Sequence, residues 1–296
     1  MSLTAIVCTY ERAEHLKRCI DSLVAQNMPD LQLLLVLVDG DERAEQVAVE
    51  RGLRTVIQPR GGGIAEARNI GVEQADTEFV AFIDDDARAR PGWAPILMAG
   101  FKESVGGVGG AVIDTRTGEQ VVHEWWVDPF GITHGVEEPA TKTPRIPTIN
   151  GCNMAFRRKA LLQIGGFDPY YRYYYDETDV CIRLANAGFQ VRFVNDAIVD
   201  HDFADGPTRE SFIYYSSKMR AYFSLKNFRN RVSTSRLLAE QARLFRHDLG
   251  VLRRQRSKYE GSTGILRAWC EMVRGRIEGA MDGIAASPFP SLEASK

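Results

Sequence analysis

Three consecutive aspartates, Asp84, Asp85 and Asp86, follow the apolar run FVAFI. A run of that kind reads as a buried strand, and in open α/β sheets ligands bind just beyond the carboxyl ends of the strands. Three carboxylates there, with no basic neighbour along the chain before Arg88, repel one another unless a positive charge sits among them. A divalent cation with oxygen ligands relieves that repulsion, and Mg²⁺ or Mn²⁺ in such a place implies a phosphate-bearing substrate. A solvated acidic turn is the plainer alternative. A second acidic group, Asp176-Glu177-Thr178-Asp179, opens a helical stretch, where unpaired N–H groups and the helix dipole favour negative charge. One histidine, His201, stands among acids in VDHDF.

Alternating elements must position these groups. LTAIVCTY reads as a strand, and Leu16, Ile20, Leu23 and Val24 recur at helical spacing after it. LQLLLVLVDG is apolar throughout, as the centre of a parallel sheet requires. A helix over 43–51, the strand TVIQ, a helix from Ile64 to Glu73 behind Gly61-Gly62-Gly63, and the strand EFVAFIDDD complete a β-α-β-α-β rhythm, which predicts a doubly wound α/β sheet. Val108 to Ile113 is strand-like. Residues 114–150 read as loops with at most a hairpin. NMAFRRKALLQIGGF predicts a strand running into a helix, Asp179 to Ala187 a helix, and FQVRFV a strand. Beyond His201 the pattern is mostly helical: Leu238, Ala242, Phe245, Leu249 and Leu252 share one face, and Trp269, Val273, Ile277 and Ile284 another.

Bulk properties exclude several classes. The 296 residues are enough for a sizeable core, and 44% hydrophobic with 26% charged content is ordinary for a globular chain. A net charge of −2 makes no case for nucleic-acid binding. The charge is uneven, because Arg236 to Arg276 holds ten Lys or Arg against four Asp or Glu. Five scattered cysteines form no CxxC pair, so no disulfide framework or zinc knuckle is indicated. No leader and no membrane-spanning run is visible, which gives a cytoplasmic expectation. The triple glycine is neither a Walker loop nor a dinucleotide fingerprint.

Five segments, in order, resemble family 2 inverting glycosyltransferases of the GT-A fold: IVCTYER with VDG at Val38-Asp39-Gly40, GGGIAEARNIGVEQADTEFVAFIDDD, NGCNMAFRRKALLQIGGFDPYY, DETDVCIRLANAGFQVRFV and VDH. The likeness spans roughly residues 3–230. It implies a Rossmann-like mixed sheet flanked by helices, a nucleotide-diphosphate donor (UDP- or dTDP-sugar), and Mn²⁺ or Mg²⁺. Asp84 and Asp86 then match the family's Asp-x-Asp and hold the metal on the diphosphate, with Asp84 also meeting the ribose. Asp85 points the other way, because successive residues of an extended segment face opposite sides. His201 completes the metal site. Thr9, Glu11 and Asp39, at the ends of the first two strands, lie where the nucleoside sits, and Arg68 suits a base edge or a phosphate. Gly151 and Asn153, in Asn150-Gly151-Cys152-Asn153, line the donor sugar.

The family usually carries Glu-Asp where this chain has Asp176-Glu177. That order maps Glu177 onto the general base, with Asp176 as the alternative. Trp125, Trp126 and the tyrosines from Tyr170 to Tyr175 are candidates for an acceptor wall or for core packing, and Lys218 and Arg220 for neutralising the departing diphosphate.

The resemblance divides the chain into a catalytic domain over 1–230 (a nucleotide-binding half, 1–110, and an acceptor and base half, 111–230), a helical extension over 231–284 and a flexible tail over 285–296. The acceptor is a hydroxyl on a glycan, a lipid-linked sugar or a small molecule. The basic extension, with Arg253-Arg254-Gln255-Arg256, allows two readings: peripheral contact with the inner face of a membrane, or a homodimer. Two other functions compete with glycosyl transfer. A sugar nucleotidyltransferase needs a glycine-rich basic loop, where this chain has TYERAEHLKR; a non-catalytic sugar-binding protein has no use for the acids and the histidine together.

Overall fold

The computed structural model describes residues 1–135, 146–203, 209–254 and 261–286. A nine-stranded sheet forms the frame, in the order β3-β2-β1-β4-β11-β6-β12-β5, with β7 paired to β6. β1 (Leu3–Thr9), β2 (Leu31–Val38), β3 (Arg54–Gln58) and β4 (Phe79–Ile83) run parallel. β11 (Asn153–Arg157) is antiparallel to β4 and to β6 (Val105–Asp114). β12 (Gln190–His201) runs parallel to β6, and β5 (Ala87–Ala89) closes the edge antiparallel to it.

Helices cover both faces, as buried parallel strands require. One core lies under α1 (Ala13–Val24), α2 (Glu42–Glu50) and α4 (Trp93–Ala99), with Leu16, Ile20, Val47 and Trp93 against the strands. The other lies under α3 (Ile64–Gln74), α5 (Arg158–Gln163), α6 (Asp176–Asn186) and α7 (Arg209–Phe228), around Phe82, Phe156, Phe167, Tyr171 and Phe223.

The predicted elements hold with shifted ends. The strand FQVRFV extends through His201 itself, and α6 begins at Asp176, three residues earlier than periodicity suggests. The stretch read as loops over 114–150 holds β7 (Gln120–Val122) and a small sheet in the order β10-β8-β9, from β8 (Trp125–Val127), β9 (Thr133–Gly135) and β10 (Ile146–Thr148). Strands of three residues are too short to show a period of two.

Two long helices follow, α8 (Thr234–Arg254) and α9 (Gly261–Ala285). α8 does not seat on the face read from sequence. Leu237, Gln241 and Leu244 are buried while Leu238 and Ala242 are exposed. Phe245 and Leu249 are half-buried against Ile213 and Met272. The side chain of Leu252, and the run from Arg253 to Arg256, lie outside the described residues, as does the tail beyond 286. Among the described residues, no helix is long and apolar enough to cross a membrane.

Candidate active site

The aspartate triplet lies in the turn between β4 and β5, where the Ala87 N–H donates to the Asp84 carbonyl (3.0 Å). The backbone splits the three side chains. Asp85 turns inward, accepting from Thr9 Oγ1 (2.7 Å) and Arg12 Nη1 (3.3 Å); burial raises its carboxyl to about 6. Asp84 and Asp86 both approach His201, while Asp86 also shares Arg12 with Asp85. Asp86 Oδ1 is 2.9 Å from His201 Nε2 and its Oδ2 is 3.3 Å from Arg12 Nη1. Asp84 Oδ2 is 3.9 Å from His201 Nε2, and its Oδ1 is 3.7 Å from Arg68 Nη2. Close packing raises the Asp84 carboxyl, against the pull of Arg68.

The triplet therefore has two positive neighbours, Arg12 and Arg68, that are distant in sequence. Repulsion judged along the chain overlooked both. Arg12 sits in TYERAEH, where nothing local marks it as a partner of acids seventy residues away.

His201 reaches the triplet through strand register. It pairs with Ala87 of β5, and the Asp202 N–H donates to the Asp86 carbonyl (2.9 Å). The neighbouring acids do not orient the ring: Asp200 is held by Arg90 (2.7 Å) and Asp202 by Arg88 (2.8 Å) and Arg18 (3.0 Å). Among the described residues, His201 Nδ1 is buried with no hydrogen-bond partner.

A third donor was missed from sequence. The register that sets Asn153 opposite Ile83 carries Cys152 beside Asp84. Donor atoms of Asp84, Cys152 and His201 lie within 4.8 Å of one another. Burial, with Asp84 and Asp86 nearby, pushes the Cys152 thiol well above its ordinary value, so it is neutral without a cation. A carboxylate and an imidazole fit a divalent ion of the Mn²⁺ kind; the sulfur adds a softer donor at its border.

Arg68 is the hinge of the site. It is buried on α3, and its guanidinium forms an ion pair with Asp176 and donates to the Gly151 carbonyl (3.2 Å). These internal partners stand beside the base edge or phosphate anticipated for it. Gly151 is glycine for the same reason, since a Cβ there would stand 2.6 Å from Arg68 Nη2. Its close approach is to the arginine. Asn153 also needs correction. It is fully buried, donating to the Ala111 and Ala197 carbonyls (2.8 Å each) and accepting from Trp93 Nε1 (2.8 Å), so it has no proton left for a sugar.

Of the nucleoside candidates, Thr9 is buried against Asp85. Glu11 and Asp39 are exposed at the carboxyl ends of β1 and β2, Glu11 paired with Arg60 (3.0 Å).

α6 presents Asp176 and Glu177 from its first turn. The preceding Tyr174 and Tyr175 are left-handed, with φ of 59° and 66°. Tyr175 is fastened by donating to the Gly131 carbonyl (2.7 Å). Asp176 is buried and committed to Arg68. Glu177 is half-buried, and burial together with the charge of Asp176 raises its carboxyl above the ordinary range. The helix is pinned from behind by Asp179, which accepts from Arg183 (2.7 Å), Lys226 (2.8 Å) and Asn227 (2.9 Å).

Several of the other candidates are held in packing or in ion pairs, while Tyr173 is exposed. Trp126 stacks on His134 at 4.2 Å, and Tyr170 on Tyr222 at 3.8 Å. Lys218 pairs with Glu278 (3.1 Å) and Arg220 with Asp248 (3.3 Å), so both tie α7 to the C-terminal helices.

Comparison with known proteins agrees with this geometry. The model of the family described as "Glycosyltransferase like family 2" matches residues 2–224. The glucosyl-dolichyl phosphate glucuronosyltransferase of Haloferax volcanii is 28% identical over 244 residues, covering 75% of this chain and 76% of that protein. The pre-mycofactocin glycosyltransferase of Mycobacterium tuberculosis is 27% identical over 206 residues, or 68% of this chain and 42% of that longer protein. Among solved structures, the mannosyltransferase PcManGT of Pyrobaculum calidifontis, in complex with GDP-Man and Mn²⁺, aligns with a TM-score of 0.56 at 17% identity, covering 95% of this chain and 86% of its own. TarS of S. aureus aligns at 0.57 with 16% identity, covering 95% and 81%. The fold is that of GT-A glycosyltransferases.

Proposed function

The chain belongs to glycosyltransferase-like family 2, and on that premise we propose that it moves a sugar from a UDP- or dTDP-linked donor to a hydroxyl acceptor, by one in-line displacement that inverts the anomeric carbon. The observation that carries this reading is the span of Arg68. One guanidinium ties Asp84, at the end of β4, to Asp176, at the start of α6. It thereby joins the acids suited to a metal diphosphate and the acids suited to proton transfer into one group.

The same contact separates the two candidate bases. Asp176 is paired with a buried arginine, which holds it in place. Glu177 has no such partner, and a raised affinity for protons is what a general base near neutral pH requires. Glu177 takes the acceptor's hydroxyl proton as that oxygen bonds to the anomeric carbon. The bond from that carbon to the diphosphate oxygen breaks, and the nucleoside diphosphate leaves with the electron pair. Asp84, Asp86 and His201 would hold a divalent cation, which when bound would supply Lewis-acid stabilisation of the leaving group. Exposed Glu11 and Asp39 are placed to accept from base or ribose.

The acceptor is a hydroxyl on a glycan, a lipid-linked sugar or a small molecule. The Haloferax volcanii relative, named for a glucosyl-dolichyl phosphate, puts lipid-linked sugars first among those to try. The test is a thermal-shift screen of nucleotide sugars with Mn²⁺, followed by mass spectrometry of product with each stabilising donor. A UDP- or dTDP-sugar should raise the melting temperature and give a glycoside of inverted configuration. Pyrophosphate release from a sugar 1-phosphate and a nucleoside triphosphate, without glycoside, would overturn the reading.

A further inference from the structure

α9 carries its apolar residues on the outside. Leu266, Trp269, Val273, Ile277, Met281 and Ile284 recur at three- and four-residue spacing and share one face. All but the half-buried Val273 are between 41% and 65% exposed. The inward face of α9 sets Ala268 and Met272 beside Ile213 of α7 and then approaches that helix through three glycines. Gly275, Gly279 and Gly283 lie on α7, where an added Cβ would stand 2.5 Å from the Tyr214 carbonyl oxygen, 2.1 Å from that of Lys218 and 2.9 Å from that of Tyr222. At these three positions nothing larger than glycine fits against α7, which opposes a roll that would carry the outer side chains into the seam.

The charges around this stripe are sorted. In the described residues of 229–286, the exposed charged side chains are the arginines Arg231, Arg236, Arg243, Arg246, Arg267 and Arg274. The carboxylates are half-buried and matched: Glu240 to Arg243, Asp248 to Arg276, Glu271 to Arg274, and Glu278 and Asp282 to Lys218. Arg267 and Arg274, seven residues apart, line one border of the apolar face. An apolar stripe with an aromatic at its edge, in a region where arginines outnumber carboxylates, is complementary to a lipid surface with anionic headgroups. A large exposed apolar face is in itself uncommon on a protein with no partner.

We propose that the outer face of α9 docks on an anionic bilayer, with Leu266, Trp269, Ile277, Met281 and Ile284 entering the headgroup boundary and the exposed arginines of α8 and α9 facing lipid phosphates. The surface is a different one from the Arg253–Arg256 run, and the proposal does not depend on the transfer reaction. Flotation of the full chain with vesicles tests it, with no nucleotide sugar present. Vesicles of phosphatidylcholine with about 30 mol% phosphatidylglycerol should carry the protein, and added salt should weaken the binding. Pure phosphatidylcholine should bind at least about tenfold more weakly. The double variant Ile277→Gln/Met281→Gln should lower partitioning about tenfold or more with an unchanged melting temperature. Equal partitioning of variant and wild type, or no flotation with the anionic vesicles, would overturn the proposal. So would a concentration-dependent dimer in sedimentation velocity that the double variant abolishes, since a second copy would then cover the stripe.

Discussion

Glu177 and Asp176 are adjacent carboxylates with opposite fates, and the difference lies in what each touches. Asp176 has Arg68; Glu177 has Asp176's charge beside it and a weak neutral donor in Thr178 (3.1 Å). Glu177→Gln should lower kcat by about 10²–10⁴-fold with little change in donor affinity, measured by initial rates and calorimetry. Near-normal turnover would sink the assignment. The same substitution has an opposite effect on stability. Glu177 holds its proton more tightly folded than unfolded, where its value is near 4.5, so its contribution is fully present below 4.5 and is lost as pH rises through the folded value. Glutamine keeps a neutral side chain at every pH. The variant should thus melt higher than wild type above neutral pH and match it below 4.5. In activity, the wild-type kcat/KM should rise with pH at values above the ordinary carboxylate range. His201 supplies a second prediction at this scale. His201→Ala should weaken Mn²⁺ binding by about tenfold or more in titration calorimetry, because it removes a nitrogen donor from a site otherwise of carboxylates and one protonated thiol. Unchanged affinity would place the ion elsewhere.

At the scale of elements, α6 is aimed from behind. Asp179 is buried among Arg183, Lys226, Asn227 and Tyr171, and those partners lower its carboxyl from 3.8 to about 2, overcoming the cost of burial. A lowered value means that the charged form stabilises the fold above pH 3.8 and that this support is lost as pH falls toward 2. Its size is about 2 kcal/mol. Asp179→Asn should therefore lose about 2 kcal/mol or more at neutral pH, with part of the acid-side slope of stability, in urea melts across pH. An unchanged slope would deny the network its role. Asp179 also marks what sequence reading could reach. Strand-helix alternation and the acid pairs were visible because both are local patterns in the chain. The partners were not: Arg12 and Cys152 meet the aspartate triplet only through sheet order, roughly seventy positions away in the chain, and Arg68 only because α3 packs beside the end of β4, and such contacts leave no periodic trace. Asn153 misled for the related reason that a motif records a residue's type and not the direction of its side chain. The start of α6 was read three residues late because two tyrosines with positive φ precede it, where periodicity has nothing to follow.

At the scale of the whole molecule, the C-terminal helices are fastened to the catalytic frame through α7. Arg276 reaches Asp248 of α8, Asp248 reaches Arg220, and Arg220 meets the hydroxyl of Tyr175 (3.3 Å), the residue that precedes the proposed base pair. The seam between α7 and α9 is built on glycine, and that reverses two ordinary rules. Glycine to alanine within a helix usually adds about 1 kcal/mol of stability, because alanine loses less chain entropy on folding. At Gly279 the new methyl would stand 2.1 Å from the Lys218 carbonyl oxygen and 2.8 Å from its carbon, both backbone atoms that cannot turn aside. Gly279→Ala must push the helices apart along the seam, at a cost of about 1–3 kcal/mol for overpacking, and the melting temperature should fall by roughly 2–10 °C. Large-to-small changes usually cost more than small-to-large ones, yet Ile277→Ala, on the outer face of the same helix, should stay within about 0.5 kcal/mol of wild type because its side chain is 55% exposed. Adding one carbon at 279 is then worse than removing three at 277. Calorimetric melts of the two variants decide it: an equal or higher melting temperature for Gly279→Ala would mean that α9 is not seated on α7 through its glycines, and the outward direction of the apolar stripe would lose its cause.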